Sequence, residues 1–289
     1  MKVGIIGLGA MGMGMALNLS KKNQLSSFWN RSKEPAQELS NTTGLTAANS
    51  PAEVASQSEL IIICVSRDAD VLEVVNAMLS GIKEGTIVLD TSTVSSNTAK
   101  EVSDILKTVG ARFLDGPVSG GVEGAKNGTM AMMIGGNEVD LEKIRSCLEI
   151  ITGNIVYIGP TGSGQATKAV NQIMVAGINQ AVTEALAFGQ AMDLDMDKVI
   201  DVVGSGAAAN WFLDHRGKTM LKNEFKNGFK VALHHKDLSI CQDMAKNNSG
   251  VDLPTVEMTL DNYQELIKQG YGEEDISSLF RIKKSTQKT

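Results

Sequence analysis

The stretch Val3-Gly4-Ile5-Ile6-Gly7-Leu8-Gly9-Ala10-Met11-Gly12, followed by Met13-Gly14-Met15 and more helix formers, constrains this chain more than any other. An apolar run leads into Gly-x-Gly-x-x-Gly and then a helical segment, the order of strand, tight turn and helix that a phosphate cradle requires. Gly7 lets the chain turn, Gly9 lets backbone approach a pyrophosphate, and Gly12 lets the helix pack on the strand. With Ala10 and Met11 in its first turn, the helix start offers N–H groups and a positive dipole end to the anion. Lys2 followed by apolar residues is superficially like a secretion signal. Against that, glycines interrupt the run, Asn18 and Lys21 follow without a small-residue cleavage site, and the next strand arrives on schedule.

The alternation continues downstream. Strand-like runs fall at 2–6, 25–29, 59–65, 86–90, 111–115, 129–134 and 154–157, with helical segments between most of them. Near-continuous apolar runs such as Leu60 to Val65 imply strands buried on both faces, hence a mainly parallel sheet covered by helices. Near Gly159-Pro160-Thr161-Gly162 the strand signals stop. Helical stretches follow at about 163–192, 195–203, 210–222, 231–248, 254–269 and 275–283, punctuated by glycine and proline. The expected fold is an α/β Rossmann-type doubly wound domain over residues 1–162. An all-α domain over 163–289 follows, entered through a long interdomain helix. A chain of 289 residues is long enough for two cores.

Composition narrows the function by exclusion. A net charge of −6 argues against nucleic acid as a partner, because neutralising phosphates needs a basic face. The basic ending from Arg281 through Lys283 and Lys284 to Lys288 reads as a solvated terminus. The long apolar helix holds Asn171, Gln172, Asn179, Gln180 and Glu184, too many polar groups for a bilayer. Apolar neighbours such as Ala169, Val170, Ile173 and Met174 instead imply that most of it is buried inside protein. Three scattered cysteines, Cys64, Cys147 and Cys241, indicate neither a disulfide framework nor a thiolate metal site, and fit a reducing cytoplasm. His234-His235-Lys236-Asp237-Leu238 reads as an exposed charged helix start. Adjacent histidines point about 100° apart on a helix, so no metal is expected there.

Three stretches carry candidate chemistry. About twenty residues after the glycine loop, where an acid normally reads the adenosine ribose, the chain has Asn30-Arg31-Ser32. A carboxylate there accepts hydrogen bonds from ribose hydroxyls and repels a 2′-phosphate. A neutral amide, a planar cationic fork and a hydroxyl suit the phosphate instead, so NADP is favoured over NAD. The second stretch, Asp115-Gly116-Pro117-Val118-Ser119-Gly120-Gly121, follows a strand. It presents a hydroxyl and bare backbone N–H groups at a sheet edge, which suits a small carboxylate. In the third, Gly162 to Gln172, glycines open the long helix and Lys168, Asn171 and Gln172 fall at i, i+3 and i+4. A lysine buried on such a helix needs a reason.

In this order the pieces resemble the β-hydroxyacid dehydrogenase family, which includes 3-hydroxyisobutyrate dehydrogenase and the tartronate, glyoxylate and succinic semialdehyde reductases. The matching stretches are GLGAMGMGM (7–15), DTSTV (90–94), DGPVSGG (115–121), GSGQATKAVNQ (162–172) and KDL (236–238). The resemblance implies Lys168 as the catalytic lysine, with Ser119, Gly120, Gly121, Asn171 and Gln172 at the substrate. It implies Thr93 and Lys236 at the nicotinamide end, Val65 and Ser66 in a cofactor loop, and association of the helical domains into a homodimer or homotetramer. Proline is common in the family where Gly14 stands, a Leu-Pro-like pair near Val65-Ser66, and a second Asn where Gln172 stands. Gly204 to Phe212, with Trp211, lies where the family lines its substrate pocket.

The expected reaction is reversible hydride transfer between NADP(H), or NAD(H), and a small hydroxy acid and its semialdehyde or keto acid, with Lys168 as general acid and base. A phosphogluconate-type oxidative decarboxylase has a similar front half but is usually longer, with His-Asn where Asn171-Gln172 stands. Imine reductases share the architecture but generally lack this lysine. A non-enzymatic dinucleotide sensor is disfavoured by the joint presence of Lys168 and Asn171.

Overall fold

The computed structural model describes residues 1–226 and 228–284. Lys288, in the basic ending, lies outside the described residues. By their internal contacts these residues form two compact units, Met1–Lys168 and the segment from Ala169 onward.

The first unit alternates as the apolar runs require: β1 (Val3–Ile6), α1 (Ala10–Lys21), β2 (Leu25–Trp29), α2 (Lys33–Thr43), α3 (Pro51–Ser56), β3 (Leu60–Ile63), α4 (Asp68–Met78), β4 (Ile87–Asp90) and α5 (Ser96–Lys107). Then come β5 (Arg112–Asp115), β6 (Val118–Ser119), α6 (Gly121–Asn127), β7 (Met130–Gly136), α7 (Glu138–Leu148) and β8 (Thr152–Gly159). The strands form one sheet in the order β2-β1-β3-β4-β5-β7-β6, with β8 also paired to β7. From β2 to β5 all pairs are parallel, whereas β7 runs antiparallel to β5 and β6. β6, two residues long, is too short to show as an apolar run in the sequence.

Alternate side chains of the parallel strands go to opposite faces. Ile5, Leu60, Ile62, Leu89 and Leu114 join a core with Met15 and Leu19 of α1. Ile6, Ile61, Ile63, Val88 and Phe113 join another with Val71 and Val75 of α4 and Val102 of α5. Fully burying each such aliphatic side chain contributes about 1.5–3 kcal/mol, so both faces hold the strands in register. The chain runs from β1 to β2 on one side and then to β3 on the other. That reversal opens a crevice at the carboxyl ends of the strands, the place where open α/β sheets take ligands.

A 29-residue helix, α8 (Ser163–Ala191), leads into the second unit. The unit continues with α9 (Met196–Gly204), α10 (Trp211–Leu221), α11 (Val231–Met244), α12 (Pro254–Lys268) and α13 (Phe280–Lys284). Its core gathers Ala176, Leu186, Met220, Leu238, Tyr263, Leu266 and Phe280. The division between units falls inside α8 rather than ahead of it, because the first turns of α8 are tied to the sheet. Asp115 accepts hydrogen bonds from the N–H groups of Gly162 (2.8 Å) and Gln165 (2.9 Å), and the Ser96 hydroxyl donates to the Gly162 carbonyl.

The expectation that the apolar residues of α8 are buried holds only in part. Ala176 is fully buried, but Val170 and Met174, one turn apart on the same side, are more than half exposed.

Candidate active site

The glycine loop is shaped by two constraints. Gly7 has φ +97°, a backbone conformation that disfavours any side chain, and a Cβ there would run into the Cys64 carbonyl. A Cβ on Gly9, by contrast, would meet nothing within 4 Å, so the chain itself gives no reason for a glycine there. Gly9 is the N-cap of α1, whose first turn contains Ala10, Met11 and Gly12, and no side chain caps that end. A bare backbone, an uncapped helix start and open space beside Gly9 together fit a dinucleotide phosphate.

A cavity of about 250 Å³ lies at this edge, bordered by Gly7, Leu8, Gly9, Asn30, Arg31, Ser32, Val65, Ser66, Asp70 and Glu73. It brings together most of the expected cofactor residues, and two of them, Asn30 and Arg31, already hold partners within the chain. Asn30 does not offer a free amide. Its Oδ1 accepts from the Leu8 N–H (2.8 Å), and its Nδ2 donates to the carbonyl (2.9 Å) and hydroxyl (3.0 Å) of Ser32. Asn30 thus fastens the glycine loop to the turn after β2. Arg31 is 71 % exposed and ion-paired to Asp70 at 2.9 Å and Glu73 at 3.6 Å.

A second cluster gathers at the ends of β4 and β5, where Asp90 and Asp115 are register partners on adjacent parallel strands. Burial pushes the Asp90 carboxyl up to about 6. Hydrogen bonds from Ser92 oppose the rise, while the charges of Asp115 and Asp68 add to it. One Asp90 oxygen accepts from the Ser92 N–H, and the other has no partner among the described residues. Burial also pushes Asp115 up, against the N–H groups of Gly162 and Gln165.

The loop after β4, which holds Thr93, is pinned by a residue that sequence reasoning missed. Gln165 accepts from the Val94 N–H (3.2 Å) and donates to the Ser92 carbonyl (2.8 Å), while the Ser92 hydroxyl accepts from Val65 N–H (2.9 Å). One side chain at the start of α8 therefore fixes both the Thr93 loop and, through Ser92, the Val65-Ser66 loop.

Lys168 is 7 % exposed, and its ammonium donates to the Val118 carbonyl at 2.9 Å, one residue before Ser119. Beyond Ser119, Gly120 and Gly121 are exposed and both have positive φ. The fold therefore anchors a buried ammonium on the backbone of β6, the strand that leads into the Ser119-Gly120-Gly121 stretch.

Within the second unit, the expected substrate residue Gln172 is engaged by its neighbours. It is 2 % exposed, its Oε1 accepts from Asn171 (2.7 Å) and its Nε2 donates to Asp237 (2.6 Å). Its amide is committed inside the helical bundle and orients Asn171. The Lys236 ammonium lies 2.7 Å from the other Asp237 oxygen. The His234 to Leu238 stretch is not an exposed charged start. His234 is fully buried, with its ring nitrogens 3.0 Å from the Tyr263 hydroxyl and 3.2 Å from the Gln172 carbonyl. Asn179 donates to Tyr263 and to the Ile276 carbonyl, so it too is a packing residue. Phe212 is buried in the helical core, while Trp211 is exposed and stacked on His215. Among the described residues no group of three or more His, Cys, Asp or Glu side chains is placed to hold a metal, and no helix is long and apolar enough to cross a membrane.

Comparison with known proteins agrees with this geometry. Residues 2–159 match the family described as the NAD binding domain of 6-phosphogluconate dehydrogenase. Residues 162–282 match that described as NAD-binding of NADP-dependent 3-hydroxyisobutyrate dehydrogenase. An uncharacterized oxidoreductase of Shewanella frigidimarina is 35% identical, covering 98% of this chain and 99% of that one. The 2-hydroxy-3-oxopropionate reductase of Escherichia coli is 33% identical, covering 96% of each. The solved structure of Mycobacterium tuberculosis 3-hydroxyisobutyrate dehydrogenase with L-serine is similar at a TM-score of 0.88 and 27% identity, covering 97% of this chain and 98% of that one. Fold and relatives together define a nicotinamide-dinucleotide-dependent oxidoreductase acting on CH–OH donors. The chain belongs to the β-hydroxyacid dehydrogenase family.

Proposed function

We propose that this chain interconverts a small carboxylate-bearing hydroxy acid with its semialdehyde or keto acid, prefers NADP(H), and uses Lys168 as general acid and base. The buried Lys168 ammonium, held on the Val118 carbonyl one residue before Ser119, carries the reading. When bound, the cofactor supplies or accepts the hydride. In reduction, Lys168 Nζ donates its proton to the carbonyl oxygen as negative charge develops there; in oxidation, the neutral amine takes the proton back from the hydroxyl. The Ser119 hydroxyl and the Gly120-Gly121 backbone N–H groups hold the substrate carboxylate. Asn171, one turn along α8 from Lys168 and oriented by Gln172, holds the substrate oxygen. In the same reading Thr93 and Lys236 serve the nicotinamide end of the cofactor. Arg31, bordering the cavity at the glycine loop, supports the NADP preference.

The exposed apolar side chains Val170, Met174, Phe188 and Met192 support self-association of the helical unit into dimers or tetramers. Three free cysteines support a reducing cytoplasm.

The test is oxidation of NADPH, beside NADH, over glyoxylate, succinic semialdehyde, methylmalonate semialdehyde and tartronate semialdehyde. Lys168→Ala should lower kcat by about 10²–10⁴ while leaving NADPH affinity within a few-fold. A fully active variant ends the proton-transfer role. Tight NADPH binding without turnover on any of the four would favour a sensor.

A further inference from the structure

We propose that Asp70 and Glu73 are specificity-determining residues: by holding Arg31 they set how strongly the chain favours a dinucleotide with a 2′-phosphate over one with free ribose hydroxyls. This rests on the reading of Arg31 given above.

Arg31 stands in the turn after β2, and the two acids stand in the first turns of α4, with Asp70 39 residues further along the chain. All three border the cavity reached by the glycine loop. Arg31 Nη1 lies 2.9 Å from Asp70 Oδ1 and 3.6 Å from Glu73 Oε2. Asp70 is only 19 % exposed, so one end of the pair is fixed while the guanidinium reaches into solvent. One cation and two carboxylates leave this wall with a net charge of −1.

The two signs recognise different cofactors. A guanidinium grips a phosphate by paired N–H donors, whereas a carboxylate only accepts hydrogen bonds, so it suits ribose hydroxyls and repels a phosphate dianion. A 2′-phosphate must therefore draw Arg31 away from carboxylates already holding it, and must also sit near their charge. A free ribose diol can donate to those same oxygens. The acid missing from the end of β2, where Asn30 stands, is thus supplied from α4, and Arg31 and its partners pull selectivity in opposite directions. Because the wall is open to water, each charge counts modestly, about 3- to 10-fold in the preference ratio.

Affinities of NADPH and NADH, measured by titration calorimetry on the full chain, test this in wild type, D70N, E73Q, D70N/E73Q and R31A. Competition of 2′,5′-ADP against 5′-AMP gives a second readout without a nicotinamide. Melting curves of each variant establish that it is folded, and E73Q alters the more exposed acid. Each neutralisation should raise the ratio of NADPH to NADH affinity about 3- to 10-fold, most in the double variant. An unchanged ratio overturns the inference, and a falling ratio overturns it by showing that the acids pre-organise Arg31 for phosphate. R31A separates the two levels. If it lowers the ratio while D70N and E73Q leave it alone, only the present inference fails; if it leaves the ratio unchanged, the NADP reading of Arg31 fails as well.

Discussion

Two stretches of the same sheet edge are built on opposite principles. At the ends of β1 and β2 the chain presents bare backbone, an uncapped helix start and an exposed arginine. At the ends of β4 and β5 it buries two aspartates, turning both oxygens of Asp115 and one of Asp90 to its own backbone. The first edge leaves hydrogen-bonding capacity for a ligand. The second uses most of its capacity to fix the loop after β4 and the start of α8. A binding edge and a positioning edge should therefore fail differently under mutation, the former in affinity and the latter in stability.

The positioning edge should show the largest effects. Asp115→Ala removes a carboxylate that caps the 29-residue α8 through two N–H groups, leaving both buried donors unpaired. The expected loss is about 3 kcal/mol or more in denaturant unfolding, and a loss below about 1 kcal/mol would break the contrast between edges. Asp90 should show itself through pH. Its folded pKa, about 6, lies above the ordinary 3.8, so the protonated form favours folding and the ionised form opposes it. Asp90's contribution to stability is therefore fully present below about pH 4 and is lost as pH rises through about 6. Asp90→Asn cannot ionise. Its stability relative to wild type should shift in the variant's favour by about 2–3 kcal/mol between pH 4 and pH 8. A pH-independent difference would mean that Asp90 is ionised without penalty.

The two edges were also unequally legible in the sequence. The strands were readable because Leu60 to Ile63 and Ile87 to Leu89 are continuous apolar runs, and burial on both faces leaves no other pattern open to them. The burial of Lys168 is legible because the helix around it is largely apolar. What stayed hidden depends on pairings between distant residues. Nothing local to Asn30 reveals that it receives the Leu8 N–H, and nothing in Asp68-Ala69-Asp70 shows that Asp70 meets Arg31 across the crevice between β2 and β3. The acids at the start of α4 read as ordinary helix N-terminal charge. The engagement of Gln172 is hidden for the same reason, since its partner Asp237 lies 65 residues away and the bond depends on α11 meeting α8. Gln165 gave a weaker clue, a polar residue between glycines and the lysine, but its bond to Val94 spans 71 residues.

The smallest expected change in stability is the sharpest test of the binding edge. Gly9 has φ −66°, open to any residue, and a Cβ there meets nothing within 4 Å. Gly9→Ala should therefore leave unfolding within about 0.5 kcal/mol of wild type, whereas Gly7→Ala, with φ +97° and a Cβ against the Cys64 carbonyl, should destabilise clearly. If the open space beside Gly9 is there for a phosphate, its added methyl must occupy the approach of that phosphate. Affinity for NADPH and NADH should then drop together by about tenfold or more, since both carry the same pyrophosphate. Equal affinity in Gly9→Ala and wild type would show that the ligand does not approach the loop at this point, and the contrast between a binding edge and a positioning edge would lose its first member.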